Sequence, residues 1–433
     1  MTYQEAIDFL FTSLPMYQRQ GKAAYKSTLD NTQRLDSWFG HPHRNYPTIH
    51  VAGTNGKGSV SHMIASVLQA SGLKTGLYTS PHLLDFRERI RINGQSIPEN
   101  EVTGFVSGNQ EIIREVQPSF FEMTVAMAFD YFAREQVDVA VIETGLGGRL
   151  DSTNIITPVL SVITNISLDH TEFLGTEPTS IAREKGGIIK QGVPLVIGRA
   201  EEPMEEVLRS MAGKRDAPLV CANQIYEPRF STLNRDGSMR LRIGRPGDTT
   251  SFHIDCDLTG EYQKENIITA FTSVELLQKL NWKISESHIH SGFDSVIAST
   301  GIMGRWQTIA HNPRSICDTA HNPDGIAAVV NQIRQTPWKK LHMVWGMVDD
   351  KDLDMVLPLL PEQASYYFTR SSVPRSMDAA ELSEHAREYG LKGRHFPKVE
   401  EAYRAAQNAA GADDMIFTGG STFVVADLLV MKF

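Results

Sequence analysis

Two patterns of apolar positions alternate along this chain, short unbroken runs and longer stretches with a helical repeat, and their order predicts an α/β fold. The run Thr48-Ile49-His50-Val51-Ala52 leads into a glycine-rich turn. Val60, Met63, Ile64, Val67 and Leu68 follow at spacings that share one helix face. Leu77-Tyr78-Thr79 is a second short strand candidate. Further apolar runs at 137–143, 160–165 and 193–198 end near glycine or polar residues, with helix-sized spans between them. Strands buried on both faces read as continuous apolar runs, so this rhythm predicts a parallel sheet rather than a helical bundle.

The stretch Gly301-Ile302-Met303-Gly304-Arg305 places two close glycines after a helix-like segment and predicts a hinge or domain boundary. Beyond it, runs at 315–319, 341–346, 365–368 and 414–418 alternate with helix-sized spans, so the second domain is also expected to be α/β. The expected organisation is a P-loop-like parallel-sheet α/β domain over residues 1–300. A smaller Rossmann-like α/β domain over residues 301–433 follows it. A chain of 433 residues with 41% hydrophobic content can bury two cores.

Charge and composition narrow the partners. The formal net charge is -9 and no long basic tract occurs, so no nucleic-acid partner is expected, and an anionic substrate needs a local positive site. The three cysteines, Cys221, Cys256 and Cys317, lack CxxC spacing and point to a reducing compartment. Glu5 and Asp8 precede the first apolar patch, unlike a signal peptide, and no apolar run reaches the roughly 18 residues of a membrane helix. A cytoplasmic, monomeric protein without a membrane partner is expected.

The segment Gly53-Thr54-Asn55-Gly56-Lys57-Gly58-Ser59 lies between the first strand and the helix. Its glycines permit a tight turn, its amides and the helix start can face phosphate oxygens, and Lys57 adds a focused positive charge. Ser59 can orient phosphate or a metal, as can Thr54 and Ser61. The motif is shorter than GxxxxGK[S/T], and the competing reading is a structural turn with a solvent-facing Lys57. The distinction lies in whether Lys57 and the backbone amides converge.

Acidic and imidazole groups follow at other strand ends. Glu143 ends an apolar run before Thr144-Gly145-Leu146-Gly147-Gly148-Arg149-Leu150-Asp151 and can reach a metal beside ATP, while Asp151 either assists or holds the loop. In Asn165-Ile166-Ser167-Leu168-Asp169-His170, His170 can face magnesium with Asp169 orienting it, or lie in an ordinary turn. Locally, Lys185 reads as a helix-end cation with Glu184 as its counterion. Gln263 and Asn266, one helical turn apart, suit nucleotide contact or loop support. Arg305 can grip phosphate or form a structural salt bridge. Asp318 and His321, in Asp318-Thr319-Ala320-His321-Asn322-Pro323, can orient phosphate, metal-bound water or an amine. No nucleophile elbow accompanies them, which argues against a Ser-His-Asp hydrolase.

Taken in order, these motifs, together with Ser80-Pro81-His82-Leu83 and Glu184-Lys185-Gly186, resemble the folylpolyglutamate synthase and dihydrofolate synthase family within the Mur-ligase-like group. The resemblance implies ATP bound by Thr54, Asn55, Gly56, Lys57, Gly58, Ser59 and Asn266, with Arg305 and Asp318 from the second domain. It implies Mg2+ held by Ser80, Glu143 and His170, a carbamate on Lys185, and catalytic roles for Lys57, Lys185, Arg305, Asp318 and His321. The loop beginning at Ser80 would help bind a pterin-bearing substrate. The implied reaction activates a carboxylate as an acyl phosphate and joins it to L-glutamate. Dihydropteroate and a reduced folate are both expected substrates, so a bifunctional enzyme is expected. Alternatives are a monofunctional folylpolyglutamate synthase, a Mur-type cell-wall ligase and a non-catalytic nucleotide-binding regulator. Thr319 stands where the family has glycine, which is expected to alter the loop.

Overall fold

In the computed structural model, which describes residues 1–15, 28–169, 175, 177–234, 237–349 and 353–431, the apolar run at 48–52 forms strand β1 (Thr48–Ala52), buried throughout. Seven further strands join it: β2 (Thr75–Tyr78), β3 (Ile90–Ile92), β4 (Gln95–Ser96), β5 (Val139–Glu143), β6 (Leu160–Asn165), β7 (Leu195–Arg199) and β8 (Leu219–Cys221). Their order is β4-β3-β2-β5-β1-β6-β7-β8. β1 lies parallel between β5 and β6, and β2, β7 and β8 extend the parallel set. β3 and β4 form an antiparallel edge hairpin.

Alternation explains why the central strands read as unbroken apolar runs. Val139 and Val141 face one core with Ile49, Val51 and the helix residues Val60, Met63, Ile64, Val67 and Leu68. Ala140 and Ile142 face the opposite core, against Phe129 and Phe132 of the helix Phe120–Arg134. Both sheet faces are therefore dry, as expected for parallel strands under helical crossovers. The strands begin later than the apolar runs suggest. Val137 is buried, but its amide closes the preceding helix by donating to Phe132 O at 3.2 Å. Val193 likewise donates to Lys190 O in a turn before β7.

The chain forms two compact units, Met1–Thr259 with Gln263–Ile302, and Gly260–Tyr262 with Met303–Phe433. The short segment Gly260–Tyr262 thus belongs to the second unit, although its sequence neighbours on both sides belong to the first. The first unit also holds an antiparallel sheet of β9 (Glu227–Leu233), β10 (Met239–Gly244) and β11 (Phe252–Cys256), with β10 central. Met239, Leu241 and Ile243 of β10 point inward while Arg240 and Arg242 are exposed, a period of two that the reading above did not use.

The second unit is also α/β. It has strands β12 (Gln307–His311), β13 (Arg314–Cys317), β14 (Leu341–Trp345), β15 (Ser365–Thr369), β16 (Gly393–Phe396) and β17 (Met415–Gly419). Their order is β12-β13-β17-β14-β15-β16, parallel except for the β12–β13 pair. Leu341, Met343 and Trp345 face one core and Val344, with Tyr367 and Ile416, the other. Among the described residues, no helix is long and apolar enough to cross a membrane.

Candidate active site

In a parallel sheet, side chains and loops at the carboxyl ends of neighbouring strands gather along one edge. In the first unit the ends of β1, β5 and β6 bring Gly53, Glu143 and Asn165 to that edge. The turn after β1 is clasped by β6. Thr54 N donates to Asn165 O at 3.0 Å, Asn55 N to Asn165 Oδ1 at 2.8 Å, and Thr164 Oγ1 to Asn55 O at 2.5 Å. Thr54 Oγ1 donates to Ser167 O at 3.0 Å and accepts from Ser167 N at 3.0 Å.

Two glycines are required by this closeness. Gly53 has φ +152°, and a Cβ there would sit 1.9 Å from Thr164 Oγ1; Gly56 has φ +82°, and a Cβ there would sit 2.1 Å from Asn266 Oδ1. Gly56 is the residue before the helix Lys57–Ala70. The first amides of that helix lack intrahelical partners, so the turn presents donors and partial positive charge. Lys57 does not reach into solvent; its Nζ folds back to Gly53 O and Thr54 O, each at 3.0 Å. Ser59 Oγ accepts from Gln263 Nε2 at 3.2 Å, and Asn266 Nδ2 donates to Gln263 Oε1 at 2.7 Å. Gln263 and Asn266, both buried, therefore support the loop from the helix Gln263–Lys279.

Lys185 is 4% exposed and donates Nζ to Gly53 O at 2.7 Å, so one carbonyl receives both lysines. Burial drives the Lys185 amine well below its ordinary pKa, Lys57 adds to that shift and Asp169 opposes it. The helix-end cation expected from local sequence is thus a desolvated amine. Glu184 is not its counterion: it pairs with Arg149, at 2.8 Å to Nη2 and 3.0 Å to Nε. Adjacent helical residues point about 100° apart, so the two side chains diverge.

Glu143 is buried at the end of β5, and its Oε2 accepts the Ser80 amide at 3.1 Å. This brings Ser80 beside a carboxylate, and carboxylate and hydroxyl oxygens are the donors magnesium takes. The third expected ligand, His170, lies outside the described residues. Among the described residues, no group of three or more His, Cys, Asp or Glu forms a metal-sized cluster. Asp151 holds the intervening loop: Oδ2 accepts from Gly145 N and Leu146 N at 2.8 and 2.9 Å, and Oδ1 from Thr153 N at 3.0 Å. Burial raises its pKa, and these hydrogen bonds pull it back.

The loop after Ser80 carries groups that motif reading passed over. Arg89 is buried, donates Nε to His82 Nδ1 at 2.7 Å and lies 5.1 Å from the Phe120 ring centroid. Burial and the Arg89 charge hold His82 well below the usual imidazole pKa. The Glu88 carboxylate accepts three successive amides, Leu83, Leu84 and Asp85, at 2.8, 3.0 and 2.9 Å. The acidic residue three positions after Asp85 was the available signal, since both belong to a capping box at the turn Phe86–Arg89.

In the second unit, buried Asp318 accepts from the Tyr262 hydroxyl, from Trp306 N at 2.7 Å and from Ala320 N at 2.9 Å. Burial raises its pKa, opposed first by Arg305. Arg305 donates Nη1 to its neighbour Gly304 O at 3.3 Å. Thr319 needs no glycine-like backbone, and both its amide and Oγ1 donate to Gly304 O, at 3.0 and 3.1 Å. His321 Nδ1 lies 3.0 Å from Thr319 O; a carbonyl only accepts, so that nitrogen carries a proton.

Comparison with known proteins places this arrangement. The family model described as Mur ligase middle domain matches residues 51–274, and that described as Mur ligase, glutamate ligase domain matches residues 304–422. A Haloferax volcanii protein named probable bifunctional folylpolyglutamate synthase/dihydropteroate synthase is 34% identical over 99% of this chain, which spans only 50% of that relative's length. Lacticaseibacillus casei folylpolyglutamate synthase is 32% identical, over 97% of this chain and 96% of its own. The dihydrofolate synthase/folylpolyglutamate synthase of Escherichia coli K12 is 32% identical over 88% of this chain and 85% of its own. Among solved structures, E. coli FolC in complex with DHPP and ADP superposes with a TM-score of 0.86 at 28% identity, covering 100% of this chain and 97% of that one.

Proposed function

Because this chain belongs to the folylpolyglutamate synthase/dihydrofolate synthase family of Mur ligases, we propose that it is a bifunctional ligase that uses ATP and L-glutamate on two carboxylate substrates. Dihydropteroate becomes dihydrofolate, and a reduced folate gains a further glutamate on its γ-carboxylate. The observation that carries this reading is the clasped loop around Gly53. It gathers Lys57, Lys185 and the helix-start amides at one strand end.

The substrate carboxylate oxygen attacks the γ-phosphorus of ATP, the bond to the β–γ bridging oxygen breaks, and an acyl phosphate and ADP result. The amine of L-glutamate then attacks the acyl carbon, loses a proton and expels phosphate, leaving an amide. Lys57 and the amides of residues 56–59 hold the phosphates, and Asn266 with Gln263 keeps that loop in shape. Ser80, Glu143 and His170 would hold magnesium, which would supply charge neutralisation on the phosphates. Burial lowers the Lys185 pKa and so favours the unprotonated amine, whose lone pair is needed to attack carbon dioxide; loss of a proton then leaves a carbamate. Arg305, Asp318 and His321 serve the reaction from the second unit, where Asp318 orders the backbone at Trp306 and Ala320.

The test is mass detection of products from purified protein given ATP, magnesium, L-glutamate and either dihydropteroate or a reduced folate. Both glutamate adducts are expected. Dihydrofolate alone, or the extended folate alone, removes the bifunctional claim, and neither defeats the reading. Lys57→Ala and Glu143→Gln are each expected to lower kcat at least about a hundredfold with circular dichroism unchanged.

A further inference from the structure

The helix Val296–Thr300 is the last of the first unit, and the second resumes at Met303. Its final turn is held by two segments remote in sequence. From the phosphate-loop helix, His62 Nδ1 lies 2.7 Å from Thr300 Oγ1, and Ser66 Oγ lies 2.7 Å from Ser299 Oγ. From the β3–β4 hairpin, a Cβ on Gly94 would meet Ser299 O at 2.1 Å. On β3, Arg91 donates Nη1 to Glu88 O and Nη2 to Gly301 O, the latter at 3.5 Å.

Glu88 is the residue whose carboxylate gathers the amides of Leu83, Leu84 and Asp85. Arg91 therefore touches, with its two terminal nitrogens, the organiser of the loop after Ser80 and the peptide that leaves the unit. The residue is 6% exposed, and its bonded acceptors are carbonyls; it has no ion-pair partner among the described residues. Burying a guanidinium without a counter-ion is costly, and an apolar side chain would fill the same space more cheaply. Burial lowers its pKa, while Glu88 and Asp85 oppose the shift. The planar fork can hold both carbonyls only while both stay in place, which a single flexible ammonium does not require.

We propose that Arg91 is a positioning residue that couples order in the loop at 83–88, where the carboxylate substrate binds, to the turn at 299–301 and hence to the peptide entering the second unit. This rests on the folate-ligase reading above and on the family resemblance, which gives the loop beginning at Ser80 a part in binding the pterin-bearing substrate. Substrate binding that steadies Glu88 steadies its carbonyl, and through the guanidinium the carbonyl of Gly301. The same turn rests on His62 and Ser66 of the phosphate-loop helix, so it senses both sites.

The test is amide hydrogen exchange of a peptide covering residues 299–303, with and without the carboxylate substrate (dihydropteroate or a reduced folate) and without nucleotide, alongside kcat. In the unmodified protein the substrate is expected to slow exchange there about fivefold or more. Arg91→Met is expected to bind substrate and ADP within about threefold of normal, lose that protection and lower kcat about tenfold. Arg91→Lys keeps the charge and covers the case in which the methionine variant does not fold; it too is expected to lose most of the protection. Protection and kcat unchanged in either folded variant overturn the proposal. Unmodified protein that forms amide product but shows no substrate-dependent protection also overturns it, leaving the folate-ligase reading intact. Protein that forms no product defeats that reading instead.

Discussion

Replacing Gly56 by alanine makes two demands on the phosphate loop at once. The residue sits at φ +82°, where a side chain costs roughly 1–2 kcal/mol because Cβ crowds the following carbonyl. Its new Cβ would also lie 2.1 Å from Asn266 Oδ1 and 3.0 Å from Asn266 Cγ, so the amide must move. Overpacking of that kind costs about 1–3 kcal/mol. Together the expected loss is about 3 kcal/mol in urea unfolding. ADP affinity by titration calorimetry should fall at least about tenfold, because moving Asn266 breaks its bond to Gln263 and thereby the support of Ser59. The two contributions separate in a double-mutant cycle. Asn266→Ala alone removes one buried hydrogen bond, worth about 1 kcal/mol. In its presence Gly56→Ala should cost only the backbone part, giving a coupling of about 1–2 kcal/mol. Normal stability and ADP affinity in Gly56→Ala, or a coupling of zero, would refute the argument that the loop is shaped against Asn266.

Two further outcomes follow from buried groups. Asp257 accepts Ile297 N at 2.7 Å, and burial first, with Asp294 adding, pushes its carboxyl up to about 6, against the amides of Ile297 and Ala298. A raised folded pKa means stability fully present below the unfolded pKa and lost as pH rises through about 6. With the group partly solvated, the stability difference between the unmodified protein and Asp257→Asn should shrink by on the order of 1 kcal/mol from pH 4 to 7, as read by urea unfolding; a flat difference would contradict it. For Lys185, 13C-labelled bicarbonate should give a carbamate resonance by NMR that is absent in Lys185→Ala. Its absence from the unmodified protein would remove the carbamate from the mechanism.

Which features were legible in the sequence follows from how they are buried. β1, β5 and β6 are dry on both faces, so their apolar runs and the polar residues ending them stood out, and with them Lys57 and Glu143. β9 is largely exposed and carries no such run, so the small antiparallel sheet escaped notice despite the clean alternation of β10. The Lys185 environment was misread because a local window offers Glu184 as partner. Tertiary packing instead sends Lys185 to Gly53 and Glu184 to Arg149. Thr319 was expected to disturb its loop; its ordinary backbone and its hydroxyl bond to Gly304 show how the position accommodates it. Arg91 has no motif at all. Its partners are carbonyls, which carry no side-chain signature, and only the fold brings Glu88 and Gly301 to the same guanidinium.

The central claim is that a carboxylate oxygen is passed to phosphate before the amide forms. The direct measurement uses dihydropteroate with both carboxylate oxygens labelled by 18O, turned over with ATP, magnesium and L-glutamate, followed by mass analysis of inorganic phosphate and product. The account requires one labelled oxygen in phosphate for each amide formed, with the other retained in the amide. Unlabelled phosphate accompanying amide formation would contradict it.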